Sequence, residues 1–220
     1  MVATPATTLR NLPLPIIQAP MAGVSTPQLA AAVSNAGGLG SLGLGACNAA
    51  QTRAMIEETQ ALTDKPFNVN VFCHAVGKHD SARDTAWLKQ LAPFFMEFGA
   101  HPPQTLTEIY QSFLADDAVF QTLLALRPAY VSFHFGLPCA HHLSAFRQMW
   151  IRTMATATNL HEAALVEAAG VDVIIAQGME AGGHRGMFDP NAVDEHLSTA
   201  VLVRLLQHQT SLPVVAAGGI

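Results

Sequence analysis

The segment Gln177-Gly178-Met179-Glu180-Ala181-Gly182-Gly183-His184-Arg185-Gly186 sets a glutamate, a histidine and an arginine among four glycines. Glycines expose backbone amides and accept φ > 0, as loops that hold anions or cofactors require. A disordered surface loop is the bland alternative. The charged residues, and the buried-type strand pattern directly before the segment, argue against it. A second candidate is Ser132-Phe133-His134-Phe135-Gly136, a histidine between two phenylalanines at the end of a strand. An imidazole changes charge near neutrality, so it suits acid/base or electrostatic work there. The chain has 10 histidines, so position and not identity singles out His134.

Three weaker signals lie elsewhere. Gln18-Ala19-Pro20-Met21-Ala22-Gly23 is a small-residue, proline-fixed turn that lets backbone approach a flat ligand; it reads equally well as an ordinary strand-to-helix turn. Asn68 and Asn70 share one side of a strand, where a carboxamide can donate to and accept from a heterocycle or simply satisfy its neighbours. Asn70, nearer the strand's C-terminal end, is the better candidate. Ala216-Ala217-Gly218-Gly219 closes a strand where barrels often build a phosphate site, and it gains force only from the other loops. Cys139, His141 and His142 could suggest zinc. Adjacent histidines on a helix point apart, however, and no second ligand pair has metal spacing, so no metal is expected.

Composition bounds the function classes. With 220 residues, 50% hydrophobic and 12% charged, the chain has a globular balance far from that of disorder. The net charge of −5 comes without any basic cluster, which argues against a nucleic-acid partner. No apolar run approaches the ~20 residues that span a bilayer, and the N-terminal stretch lacks a signal-peptide core. Cys47, Cys73 and Cys139 are odd in number and widely spaced, as reduced thiols of a cytoplasmic protein would be.

The elements that must position these residues alternate between strand and helix. Strands are expected at residues 15–19, 39–44, 67–72, 130–135, 152–156, 171–176 and 213–217. Thr26 with Pro27, and Asn159 with Glu162, read as helix starts. Between residues 73 and 128 two helical segments are expected. One covers residues 82–98. The other opens at a Thr105-x-x-Glu108 capping box and carries Leu106, Ile109, Tyr110, Phe113 and Leu114 on one face. Such alternation implies parallel strands, in a doubly wound sheet or a barrel. Glycine- and polar-rich loops after so many strands favour the α/β class with a (β/α)8 TIM-type barrel, whose strand ends share one face. Seven strands are counted, so the barrel is expected to be incomplete, lacking strand eight and its flanking helices. Residues 1–74 and 129–220 would form its two parts, and residues 75–128 a helical insertion after strand three.

Taken in order, QAPMAG with GGLGSLG, NVNVFCH, SFHFG, AQGMEAGGHRG and PVVAAGGI resemble the class I branch of the nitronate monooxygenase (2-nitropropane dioxygenase) family from residue 16 to the last residue. The resemblance implies FMN held non-covalently at the barrel mouth, and oxidation of alkyl nitronates such as propionate 3-nitronate by dioxygen to a carbonyl compound and nitrite. It implies that His134 faces the flavin as base or electrostatic partner of the nitro group. It also places the backbone of Ala19, Pro20 and Met21 beside the isoalloxazine, and Asn70 and Gln177 as its hydrogen-bond partners. Gly182, Gly183, Gly218 and Gly219 would sit toward the ribityl chain and phosphate. A homodimer is one assembly it allows.

Two other readings compete. One is an FMN-dependent enoyl-acyl-carrier-protein reductase-like enzyme, against which SFHFG and EAGGHRG both argue. The other is an inactive fragment that needs a complementing chain. Members of the family continue beyond AAGGI, so the isolated chain is expected to bind FMN weakly.

Overall fold

The structure, a computed structural model, describes Leu9, residues 11–77 and residues 80–220. Residues 1–8 and Arg10, part of the stretch on which the missing signal-peptide core was read, lie outside the described residues.

One parallel sheet organises the chain. Its strands are β1 (Gly40–Gly43), β2 (Phe67–Phe72), β3 (Tyr130–His134), β4 (Arg152–Ala157), β5 (Val173–Gln177) and β6 (Val214–Ala217). They pair in the order β1-β2-β3-β4-β5-β6, each with its neighbour in sequence. A doubly wound sheet reverses its strand order at a switch point; this one never does. The architecture is an incomplete TIM-type α/β barrel. Register keeps the carboxyl ends level: Gly43 lies opposite Asn70, Phe72 opposite His134, and Gln177 opposite Ala217.

Side-chain alternation divides the strands into two faces. Outward residues such as Val69, Val131, Phe133, Ala155 and Ile174 pack beneath the helices with Ile56, Phe120, Phe146, Val166 and Leu206. Inward, Tyr130, Met154 and Val173 join Leu39 in a smaller cluster, flanked by the partly buried Ile17, Ile175 and Val215. Above that apolar floor the inner wall turns polar with Ser41, Asn68, Asn70 and Ser132, and ends at His134, Thr156 and Gln177.

The helices are α1 (Pro27–Asn35), α2 (Ala49–Leu62), α3 (Ser81–Glu97), α4 (Asp117–Leu126), α5 (Ala140–Gln148), α6 (Leu160–Ala168) and α7 (Thr199–Gln209). Their starts are chemically marked. The Thr26 hydroxyl accepts from the Leu29 amide with Pro27 following, and Asn48 and Gln51 form a reciprocal capping box. Asn159 caps α6, but the Glu162 side chain does not return to it.

Two expectations change. The first expected strand, residues 15–19, is reduced to a bridge in which Ile17 pairs with Leu39. Pro15 and Pro20 bracket it and supply no amide donors, so the ladder cannot extend. The helix expected from Thr105 does not form. The chain from 101 to 112 is irregular, and only the single 3-10 turn Phe113–Ala115 precedes α4. Tertiary contacts override the periodicity here. The Ser112 hydroxyl donates to the His74 carbonyl at 2.5 Å, and the Tyr110 ring lies 5.5 Å from that of Phe72. Asp116, not Thr105, caps the helix that follows by accepting from the Val119 amide.

Candidate active site

His134 ends β3 with its ring half-buried and both nitrogens engaged. Nδ1 is 3.0 Å from the Thr156 hydroxyl on β4, and Nε2 is 3.2 Å from the His184 carbonyl in the glycine-rich loop. Burial holds its pKa down to about 4; the hydrogen bond to the His184 carbonyl opposes that shift, and the His184 ring adds to it. The imidazole is therefore neutral at pH 7. Phe135, the next residue, has φ 67, a left-handed backbone that is unusual for a bulky side chain. Such backbone states persist where the surroundings enforce them, often at functional sites. Here the enforcing contacts are a rim of rings: Phe135 packs against Phe72, His134 and His184 at centroid distances of 5.0, 4.4 and 5.6 Å.

The glycine-rich loop is ordered by its own side chains. Gln177, at the end of β5, donates from Nε2 to the His184 carbonyl at 2.9 Å and accepts at Oε1 from the Gly186 amide at 2.7 Å. Arg185 donates to the Gln177 carbonyl at 2.6 Å and grips Asp194 through two bonds of 2.8 and 2.9 Å. That fork, with the His196 amide, lowers the Asp194 pKa to about 2. Buried Glu162 accepts from the Phe188 amide at 2.9 Å and tethers the far end of the loop to α6. Gln177 thus has both ends of its carboxamide committed to the loop.

The other expected residues converge on the same barrel end. Asn70 donates to the Ser132 carbonyl at 3.2 Å and the Ser132 hydroxyl at 2.9 Å, which sets it beside the strand that carries His134. Asn68, one layer deeper, donates to Ser41 and Ser132, while its buried Oδ1 has no hydrogen-bond partner. Ala19, Pro20 and Met21 are exposed, and the turn is fixed by the Ser25 hydroxyl, which accepts from the Met21 amide at 2.9 Å. Gly218 and Gly219 have φ of 119 and 67. A Cβ on Gly218 would lie 2.7 Å from the Ala181 amide nitrogen, so the two glycine loops lie against each other. The amino end of α7 beside them is already satisfied: the Glu180 carboxylate accepts from the Thr199 amide and hydroxyl.

Residues that sequence reasoning missed are Thr156, Ser132, Glu162 and the Arg185–Asp194 fork. Thr156 and Ser132 carried a signal, since each lies two positions from an inward residue on its strand. Among the described residues, no group of three His, Cys, Asp or Glu comes together as metal ligands. The His142 ring stacks on Phe120 at 3.9 Å instead. No helix among them is long and apolar enough to cross a membrane.

The backbone beside His184 is open to solvent. At Gly182 and Gly183 no heavy atom lies within 4 Å of where a Cβ would stand, so their amides are accessible to a ligand. Met21 borders the same end, with its backbone pressed on β1: a Cβ at Gly43 would meet it at 3.0 Å.

Singly wound parallel strands with a histidine, two carboxamides and two glycine loops at their carboxyl ends define a TIM-type α/β barrel, the class in which enzymes carry their sites at that end. The sequence comparisons narrow that class. A sequence model of the family described as nitronate monooxygenase matches residues 4–220, and the chain belongs to that family of oxidoreductases. It is 61% identical over 212 residues to a nitronate monooxygenase of Paraburkholderia phytofirmans, covering 96% of this chain and 58% of that protein. It is 58% identical over 214 residues to one of Pseudomonas aeruginosa, covering 97% and 61%. Among solved structures, a nitroalkane oxidase from Streptomyces ansochromogenes superposes with a TM-score of 0.86 at 38% identity, over 97% of this chain and 60% of that one. A FabK (M276A) mutant from Thermotoga maritima gives a TM-score of 0.71 at 30% identity, over 100% and 58%. The chain thus spans about three fifths of the length of these relatives.

Proposed function

We propose that this chain forms the FMN- and substrate-binding part of an enzyme that oxidises alkyl nitronates with dioxygen to a carbonyl compound and nitrite. The observation that carries the reading is His134, fixed at a barrel strand end among aromatic rings and facing the glycine-rich loop.

FMN, when bound, supplies the redox chemistry by accepting electrons from the substrate and passing them to oxygen. Gly182, Gly183, Gly218 and Gly219 would hold its phosphate and ribityl chain, and the Ala19-Pro20-Met21 backbone would border the ring. Asn70 would be a hydrogen-bond partner, and so would Gln177 through the second hydrogen of its Nε2, the first being held by the His184 carbonyl. The protein's own part is position and electrostatics. A neutral His134 can donate a hydrogen bond to an oxygen of the nitronate. The rings of Phe72, Phe135 and Tyr110 border that contact. The free thiols of Cys47, Cys73 and Cys139 support a cytoplasmic setting.

The test is nitrite release from propionate 3-nitronate under air, paired with anaerobic NADH oxidation in the presence of an enoyl thioester. Oxygen-dependent nitrite with no response to the thioester is the expected result. Thioester-dependent NADH oxidation without nitrite overturns the reading in favour of an enoyl reductase.

A further inference from the structure

The hydrogen bonds around His134 specify more than its location. A backbone carbonyl has no proton to give. The contact between Nε2 and the His184 oxygen is therefore a hydrogen bond only if Nε2 carries the proton. In a neutral imidazole the other nitrogen is then an acceptor, and Thr156 is the hydroxyl that reaches it, at 3.0 Å. Which ring nitrogen is protonated follows from the bond that the other one makes. Thr156 is buried, on β4, beside a buried Gly186 whose Cβ would strike both Thr156 Cγ2 and His134 Cε1. The hydroxyl is thus held against the ring, with solvent kept away.

From this we infer that Thr156 is a positioning residue that donates to Nδ1 and so keeps His134 in the Nε2–H form. In that form a neutral imidazole presents a hydrogen-bond donor toward the mouth. In this structure the donor is taken by the His184 carbonyl, an acceptor that stands where an oxygen of an anionic substrate would bind. Substrate binding would exchange one acceptor for another at the same nitrogen. Gln177, whose Nε2 also donates to the His184 carbonyl at 2.9 Å, keeps that oxygen hydrogen-bonded when His134 leaves it.

The inference rests on the reading of His134 as the residue that meets the substrate, and its test separates the two. The ring nitrogens of His134 are read by 15N NMR at pH 7.5 in FMN-loaded wild type, Thr156→Val and Thr156→Ser. KM and kcat for propionate 3-nitronate are measured on the same samples. The expected result is a protonated Nε2 and an unprotonated Nδ1 in wild type and Thr156→Ser, with shifts moving toward averaged values in Thr156→Val. KM should rise about tenfold in Thr156→Val, the loss of roughly one good hydrogen bond, with kcat changed less and Ser restoring most of it. An Nδ1–H wild type, or the same nitrogen shifts in Thr156→Val as in wild type, overturns the inference. Expected shifts in a protein that releases no nitrite would support the positioning role of Thr156 while retiring the functional reading.

Discussion

A Cβ placed on Gly186 would lie 2.6 Å from Cε1 of His134, closer than real Cβ contacts come. Gly186 is buried against the imidazole and its amide donates to Gln177, so neither partner can yield without breaking a bond. Gly186→Ala should therefore lift the loop from His134, at a cost on the order of 1–3 kcal/mol of stability from overpacking. The check is chemical denaturation, together with the 15N signal of the His134 Nε2–H. A variant with unchanged stability and an unchanged His134 signal would show that the loop is softer than this contact implies.

Removing the imidazole tests its role directly. His134→Ala should lower kcat/KM for propionate 3-nitronate about a hundredfold, the lower range for a positioned acid, base or donor. The flavin absorbance should remain, because Gln177 still holds the His184 carbonyl and the Gly186 amide when the imidazole is gone. Loss of flavin together with activity would make His134 a structural residue of the cofactor site.

Stability should depend on pH through the same group. The folded-state pKa of His134 is lowered from 6.5 to about 4 by burial. Between those values the unfolded chain binds a proton that the folded chain refuses. The contribution is complete above pH 6.5 and is lost as pH falls toward 4, with an upper bound on the order of 3 kcal/mol. Denaturation curves of wild type and His134→Asn, compared from pH 7.5 to 4, should converge as the pH falls. Parallel curves would mean that His134 titrates normally.

The placement of several candidate residues at one end of the sheet was legible in the sequence, and the reasons are local. His134 and Gln177 end their strands where a buried run gives way to glycine, and Asn70 lies two residues before the end of its strand. The partners Thr156 and Asp194 were not legible, because they meet His134 and Arg185 only through strand pairing and loop closure. The Thr105 helix misled for the opposite reason. Its apolar spacing is helical, but Tyr110 and Ser112 find better partners in Phe72 and His74 across the barrel mouth. The bridge at Ile17 shows the same competition: an apolar run suggested a strand, and flanking prolines removed the donors that a ladder needs.

We predict that nitrite release needs no metal. Cys139 is exposed and His142 is stacked on Phe120, leaving His141 without ligands grouped around it among the described residues. Nitrite release should be unchanged after EDTA treatment and gel filtration. A loss restored by added zinc would place a metal in the site.

Glu162 offers the last test, because it is a buried carboxylate that holds the active loop from behind. One oxygen accepts from the Thr158 amide and hydroxyl at 2.6 and 2.7 Å, and the other from the Phe188 amide at 2.9 Å. All three partners are donors, so both oxygens must be acceptors. Glu162→Gln keeps the shape but replaces one oxygen with an NH2 group, which must then face a donor. Turned toward Thr158 it faces the amide of that residue, which is buried and cannot move away, so the NH2 group should turn toward Phe188 and release the loop there. The cost of one buried unpaired donor is about 1–3 kcal/mol. The loop between Gln177 and Ser198 should then be cut faster by protease and should hold the His184 carbonyl less firmly over His134. Faster cleavage confined to this loop, with the sheet amides still protected from hydrogen exchange, is the expected outcome. Uniform loss of protection would show instead that Glu162 supports the whole barrel and not the loop.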